Sequence, residues 1–353
     1  MYEKISKFIN IEEYIANFEF DLNKDEKQKI FWKNQMLILI EKFSKQIRSY
    51  KEDEPDETKE DRIVKFQNEY LAQVNILMKS QDFLSVRQLL MLNERLLNKY
   101  GFFDVWRLQK LEENTKALSL LGARLEKVDN ISDNRKRWEN LFCGLLASNI
   151  FDSGSSAVQD ILSNNINFGF HDALDKIQRR PWLIDNFDEF FDTIEKRPFK
   201  CIAFFCDNSG IDFVLGVLPL TVEFLKMNTK VILIGNSSPS LNDITYNELK
   251  DVVQQACESS DIIRKSYENK CLILGENGNH GCCLNFMDID ENVLDTMISM
   301  EVDLIVIEGV GRSIHTNFNA KFKCQSLKLA VIKNKFLAEC LGGVLFDAIC
   351  KYE

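Results

Sequence analysis

At 353 residues, 45% of them hydrophobic and 28% charged, the chain has room for about two domains at ~150 residues each and can bury a sizeable core, which excludes a disordered or fibrous protein. Its formal net charge of -10 excludes non-specific attraction to nucleic acid or to an anionic membrane surface, both of which need a positive field. An anionic ligand must therefore be held by a local cluster of Arg, Lys and metal. No apolar run approaches the ~18 residues of a membrane span, and the opening MYEKISKFINIEEYIANFEF carries acids throughout where a signal peptide has an apolar core, so a cytoplasmic protein is expected.

From the start to about residue 195 the pattern is helical. FWKNQMLILIEKFSKQIRSY puts Phe31, Met36, Leu39, Ile40 and Phe43 near one face at helical spacing. Lys51 to Arg62, KEDEPDETKEDR, has no apolar residue and predicts an exposed linker. Further helices are predicted over Ile63–Lys79, Phe83–Asn98, Phe102–Asn114 and Ile131–Asn149, their apolar stripes, with Trp106 and Trp138, assigned to core.

After Pro198 short apolar runs alternate with helical stretches. Strands are predicted over Cys201–Cys206, Val231–Gly235, Cys271–Gly275, Asp303–Gly309, Leu327–Ile332 and Gly343–Cys350, with crossover helices over Asp212–Met227, Thr245–Cys257, Asp288–Met300 and Asn334–Leu341. Continuous rather than alternating hydrophobicity suits strands covered on both faces. The expected fold is α/β, a three-layer α/β/α arrangement with a mainly parallel central sheet (196–353) behind an α-helical N-terminal domain (1–195).

Ligands of open α/β sheets lie beyond the carboxyl ends of the strands, and there this sequence is rich in polar groups. Asp207 and Asn208 follow the first strand; Asn242, Asp243 and Thr245 the second; Asn277, Asn279 and His280 the third. Glu308 ends the fourth, which runs into GVGRSIHTN, and Lys333 and Asn334 follow the fifth. Asp207, Asn208 and Asp243 are hard oxygen ligands, suited to Mg²⁺ or Mn²⁺ and tolerant of Co²⁺ or Ni²⁺. Arg312 and Lys333 suit a phosphate, and Ser209, Gly210, Gly309 and Gly311 let backbone N–H groups approach phosphate oxygens; His315 counts as a third cation only if protonated, and a hydrogen-bonding or structural role is preferred for it as for His171 and His280.

The assembly describes metal-assisted transfer of a phosphoryl group to water. Each piece alone has a blander reading: DNSG is also a turn and helix cap, and LNDIT also a helix N-terminus. An aspartyl-phosphate mechanism wants a second acid two residues after the first, where Ser209 stands, and a Ser-His-Asp site lacks its G-x-S-x-G elbow. All ten cysteines fall between Cys143 and Cys350 with no C-x-x-C spacing and are expected to be reduced structural thiols, the vicinal Cys282-Cys283 pair being the one candidate for redox chemistry.

The segments FFCDNSGIDFVLGVLPLTVEFL, NSSPSLNDIT, DLIVIEGVGRSIHTNFNA and CQSLKLAVIKNKFLAECLGGVLFDAICKYE resemble the second subfamily of the damage-control phosphatases (domain of unknown function 89), in particular the C-terminal phosphatase domain of pantothenate kinase 4 and its stand-alone plant relatives. The likeness extends upstream through ASNIFDSGSSAVQDIL and RPWLIDNFDEF, so it covers roughly 143–353. It implies a metal-dependent phosphatase acting on 4'-phosphopantetheine and its oxidised forms, which limits entry of damaged pantetheine into coenzyme A. It also implies metal ligation by Asp207, Asn208 and Asp243. The family signature Glu-Gly-Met-Gly-Arg corresponds to Glu308-Gly309-Val310-Gly311-Arg312, with Val310 in place of Met, and NIFDSGS has Ser153 where relatives tend to have an aromatic residue. Asn149 and Asp152 are further candidates for the cleft, and no kinase-like module is expected within these residues. The alternatives are a phosphatase for sugar phosphates or other reactive phosphometabolites, or a non-catalytic metabolite-binding regulator.

Overall fold

Apolar runs without polar alternation become the strands of one sheet in a computed structural model that describes residues 1–16, 21–49, 56–80, 82–150, 169–177 and 179–353. The strands are β1 (Ile184–Asp185), β2 (Cys201–Phe205), β3 (Lys230–Gly235), β4 (Leu272–Glu276), β5 (Leu304–Glu308), β6 (Gln325–Val331) and β7 (Ala348–Tyr352). Their order is β1-β7-β6-β5-β2-β3-β4. Every pairing is parallel except β6 with β7, so the mainly parallel sheet expected from the sequence is present.

Successive residues of β2 enter different cores, because side chains alternate across a strand. Ile202 and Phe204 join a cluster with Leu121, Trp138, Phe142 and Phe224, whereas Ala203 and Phe205 join one with Ile5, Phe286 and Met297. Both faces are dry, which is why the run has no polar residue. Truncating the fully buried Phe204 to Ala would remove about 3–5 kcal/mol.

Among the described residues the helices are α1 (Tyr2–Ile5), α2 (Glu26–Ser49), α3 (Asp56–Lys79), α4 (Val86–Lys99), α5 (Arg107–Asp129), α6 (Asn134–Ser148), α7 (Phe170–Lys176), α8 (Phe187–Lys196), α9 (Leu218–Lys226), α10 (Tyr246–Ser259), α11 (Asp261–Glu268), α12 (Glu291–Ser299) and α13 (Lys335–Leu341). Helices α2 to α4 enclose a core of their own, with Met36, Phe43, Phe66, Tyr70 and Leu89. Helices α5 and α6 instead lay Leu121, Trp138 and Phe142 on the sheet, so that core crosses residue 195.

The expected linker is shorter than its composition implies. Helix α3 begins at Asp56, and 51–55 lie outside the described residues. Acids at a helix start favour the macrodipole, and a helix needs no apolar residue on a face turned to water. Helix α5 runs to Asp129 rather than Asn114, since its polar EENTK stretch continues the helix, with Asn114 turned inward and buried. Strand β7 starts at Ala348 rather than Gly343, because Gly342, left-handed at φ 76°, closes α13 and a short loop follows. Two wide π-type turns, Asp212–Val217 and Val310–Ile314, stand after β2 and β5, a placement common at functional sites. No helix among the described residues is long and apolar enough to cross a membrane.

Candidate active site

From β2 the chain steps outward to β3 and β4, then returns to place β5 on the other side of β2. The loops after β2 and β5 therefore part, leaving the crevice in which ligands of such sheets bind. Asp207 and Asn208 stand at one lip and Gly309 at the other. Gly309 is at φ 90°, and a Cβ there would lie 2.2 Å from the Asp207 carboxyl carbon, so only glycine lets the acid occupy its place.

The loop after β3 is stitched to the loop after β2. Asn208 and Asp243 form an isolated antiparallel bridge; Ile244 N–H donates to Asp207 C=O at 2.9 Å and Ser209 N–H to Asn242 C=O at 2.8 Å. Thr245, two residues on, is the N-cap of α10 in a capping box with Glu248. That leaves Asp243 outside the cap.

Arg312, fully buried, lies between the two acids. Its Nη1 donates to Asp207 Oδ1, and its Nη2 to Asp243 Oδ2 at 2.7 Å and Asn236 Oδ1 at 2.9 Å. Asn236 in turn donates to Asp243 Oδ2 at 3.0 Å and accepts from Asn277 Nδ2 at 2.7 Å. The other oxygen of Asp207 accepts from Asn208 Nδ2 at 2.8 Å and Asn149 Nδ2 at 3.0 Å. Both amides also reach Asp212 Oδ2, at 2.7 and 3.0 Å.

Burial pushes the Asp207 carboxyl above its ordinary range against the opposing pull of Arg312. For Arg312 burial alone would lower the guanidinium, but Asp243 and Asp207 outweigh it and hold it above its usual value. Glu308 sits beneath Asp207, 1% exposed, accepting the Asp207 N–H at 3.4 Å. Burial, with Asp212 and Asp207 nearby, pushes it well above the usual carboxylate range. It is placed to support Asp207 from below and does not line the cavity.

A cavity of about 120 Å³ opens over this network. Asp207, Asn208, Asp243, Gly311 and Lys333 line it together with Phe31, Trp32 and Leu39 of α2, Leu90 of α4, Leu241, Val310 and Cys282. His315 also lines it, edge-on to Trp32 with ring centroids 5.7 Å apart. Burial pushes His315 down to about 4, so at neutral pH it is not the third cation suggested by the sequence.

This has a stability consequence. A folded pKa below the unfolded value of about 6.5 means that His315 contributes stability fully above that pH and loses it as pH falls toward 4. Between pH 6.5 and 5 the loss is about 2 kcal/mol at ~1.36 kcal/mol per unit. Urea unfolding at both pH values should show a steeper drop for the wild type than for His315→Phe, and equal drops would contradict the assignment.

Three of the expected phosphate-binding N–H groups are used inside the protein. Ser209 N–H goes to Asn242 C=O and Gly309 N–H to Leu329 C=O, and Gly210 N–H goes to Asn114 Oδ1 at 2.6 Å. Buried N–H groups take partners wherever the fold supplies them, and helix α5 and the neighbouring loops do so here. Gly311 and Lys333 remain on the cavity wall. All ten cysteines are free, and the side-chain hydrogen bond with Cys283, which stabilises the protonated thiol, together with burial pushes Cys282 well above its usual value, which removes a reactive thiolate at neutral pH. Asp152 lies outside the described residues.

The oxygens present fit a hard divalent cation. Asp207 and Asp243 would supply carboxylates, and Asn208, whose amide nitrogen is committed to Asp207 and Asp212, would offer its Oδ1. Among the described residues no three His, Cys, Asp or Glu side chains gather into a metal cluster; the fit rests on two acids and one amide. Asn236 and Asp212, not singled out from the sequence, complete the network. Asn236 is simply the first residue past β3.

The damage-control phosphatase ARMT1-like domain family matches residues 1–349. A 4'-phosphopantetheine phosphatase of Mus musculus is 35% identical over 348 residues, covering 83% of this chain and 42% of that protein. A protein named pantothenate kinase 2 from Arabidopsis thaliana is 37% identical over 298 residues, covering 76% and 33%. A damage-control phosphatase of Arabidopsis thaliana is 36% identical over 261 residues, covering 74% and 70%. The chain thus spans less than half the length of the first two. The crystal structure of a DUF89 family protein from Pyrococcus horikoshii shares the fold, with a TM-score of 0.59 at 14% identity over 90% of this chain and 96% of that one.

Proposed function

Since the chain belongs to the damage-control phosphatase ARMT1-like family, we propose that it is a divalent-metal-dependent phosphatase that hydrolyses 4'-phosphopantetheine and its oxidised or damaged forms, limiting coenzyme A synthesis. The observation that carries this reading is the Asp207–Arg312–Asp243 ion pair set with Asn208 under one cavity at the switch point of the sheet. A divalent cation held by Asp207, Asn208 and Asp243 would polarise the phosphoryl group and supply a water acidic enough to attack at neutral pH.

The chain's own residues then have distinct tasks. Arg312, fully buried behind the cavity wall, fixes the two carboxylates by charged hydrogen bonds, so the phosphate-facing role expected of it from the sequence passes to Lys333. Lys333 adds a point charge on the same wall. Asn149 and Asn208 hold the second oxygen of Asp207, and Gly309 leaves room for it.

The upper cavity favours a pantetheine-like arm over a sugar. Phe31, Trp32, Leu39, Leu90, Leu241 and Val310 outnumber the polar Gln35, His315 and Asn334 there, and buried sugar hydroxyls without partners would be costly. Trp32→Ala is expected to raise KM for 4'-phosphopantetheine about 10-fold, the effect of losing ~1.4 kcal/mol of uniform binding, with kcat within about twofold. An unchanged KM would remove Trp32 from the subsite.

The deciding experiment is phosphate release by the pure protein over a metabolite panel that includes 4'-phosphopantetheine and sugar phosphates, with Mn²⁺, Mg²⁺, Co²⁺ or Ni²⁺. Release that needs no divalent metal, or binding without release under every metal, would overturn the proposal, the latter in favour of a non-catalytic regulator.

A further inference from the structure

Between β3 and α10 the chain makes a turn in which Asp243 N–H donates to Ser240 C=O at 3.0 Å. Leu241, inside that turn, sits at φ 48°, a left-handed conformation that residues with a Cβ resist. Something outside the turn must hold it, because Asp243 is its last residue and any slackening moves that carboxylate relative to Arg312.

Helix α4 supplies the hold. Its buried face carries Leu89, Leu92, Leu96 and Leu97, yet Glu94 lies among them, 6% exposed. An acid in such a place is rare unless its oxygens are bonded. Glu94 Oε1 accepts from Ser240 Oγ at 3.1 Å, and its carboxyl accepts the backbone N–H of Leu241. Both donors belong to the strained end of the turn. The charges that weigh most on Glu94 are those of Asp243 and Asp104, both acidic, and the partners its carboxyl bonds are Ser240 and Leu241 rather than a cation. Burial pushes it up to about 8, in keeping with a role as hydrogen-bond acceptor that needs no charge.

We propose that Glu94 is a positioning residue, which grips the Ser240–Leu241 turn from the helical region and thereby sets Asp243 opposite Asp207 and Arg312. The proposal rests on the reading of Asp243 as a working residue of a metal-dependent phosphatase. It makes α4 part of the active-site machinery although Glu94 is not itself on the cavity wall.

Three variants of the full chain test it, Glu94→Ala, Glu94→Gln and Ser240→Ala, by hydrogen–deuterium exchange and by phosphate release from 4'-phosphopantetheine as a function of Mn²⁺ concentration. In Glu94→Ala, amides of 237–245 are expected to exchange at least tenfold faster while peptides covering β2 and β5 exchange as in the wild type. The Mn²⁺ concentration for half-maximal activity should rise about 10-fold, the scale of losing a supporting partner of a metal ligand. Glu94→Gln keeps an acceptor oxygen and should stay within about twofold on both readouts, and Ser240→Ala, which spares the Leu241 bond, should fall between.

Faster exchange spread over the whole chain, unchanged exchange at 237–245, or a Gln variant no better than Ala would overturn the inference, the first by showing a merely structural role. If Glu94→Ala does not fold, the Gln and Ser240 variants decide. A wild type that releases no phosphate under any metal overturns the phosphatase reading and with it the catalytic part of this inference, whereas an active wild type with an equally active, equally protected Glu94→Ala overturns the inference alone.

Discussion

Asp207→Asn is expected to lower metal-supported phosphate release by at least ~10²-fold, above the range for losing a mere supporting partner of a metal ligand, while leaving a folded protein. The substitution keeps the shape and removes the charge. It also sets two groups at odds, because Oδ1 faces the Arg312 guanidinium and Oδ2 accepts from Asn149 and Asn208. An amide there must turn its N–H₂ toward one set of donors or the other. Arg312 retains Asp243, so the stability loss should stay below the about 3–5 kcal/mol of a fully orphaned buried charge. Steady-state phosphate release at saturating Mn²⁺, alongside a thermal melt, checks both halves. Activity within threefold of the wild type would remove Asp207 from the chemistry.

Arg312→Met should have the larger effect on folding. It leaves Asp207 and Asp243, both buried, without the cation they share, and breaking such a pair costs about 3–5 kcal/mol. The sign of the pH dependence follows. Once Arg312 is gone, burial is no longer opposed at either carboxylate and is expected to push both up, so the folded variant binds more protons than the unfolded chain and loses stability as pH rises. The gap to the wild type is expected to widen from pH 5 to pH 8 in urea unfolding. Mn²⁺, if it binds the two acids, should narrow that gap. A difference below about 1 kcal/mol at pH 8 would mean that the ion pair does not hold the site together.

The sheet and one half of the site could be read directly because their signals are local. Apolar runs such as CIAFFC and DLIVIEG sit between polar punctuation, and the crevice rule sends attention to whatever follows them. Asp207, Asn208, Asp243 and Arg312 are indeed brought together at that edge. What escaped is the part made by packing between distant segments. Phe31 and Leu39 belong to a helical stripe that reads as core, and only the approach of α2 to the 310–315 turn makes that face a cavity wall. Glu94 lies in a helix of strong amphipathic pattern, where periodicity would assign an acid to water.

The expected phosphate cradle loses three of its N–H groups, those of Ser209, Gly210 and Gly309, for a related reason. Glycines and serines announce an available backbone but not who takes its N–H groups, and Asn114, on a helix whose extent was itself underestimated, takes that of Gly210. His315 could add a third cation only if protonated, and burial keeps its imidazole neutral at neutral pH.

The contact between Gly309 and Asp207 gives position 309 a diagnostic value. With a Cβ lying 2.2 Å from the carboxyl carbon, any other residue must evict the acid or shift the strand end, so competence at 207 is conditional on the absence of a side chain a hundred residues later in the chain. A descendant of this fold that had given up hydrolysis for a purely regulatory life would be free to fill that space. On the proposed function, glycine at 309 beside aspartate at 207 is therefore a two-letter test, readable in any aligned sequence, for whether a relative has kept the room that Asp207 needs.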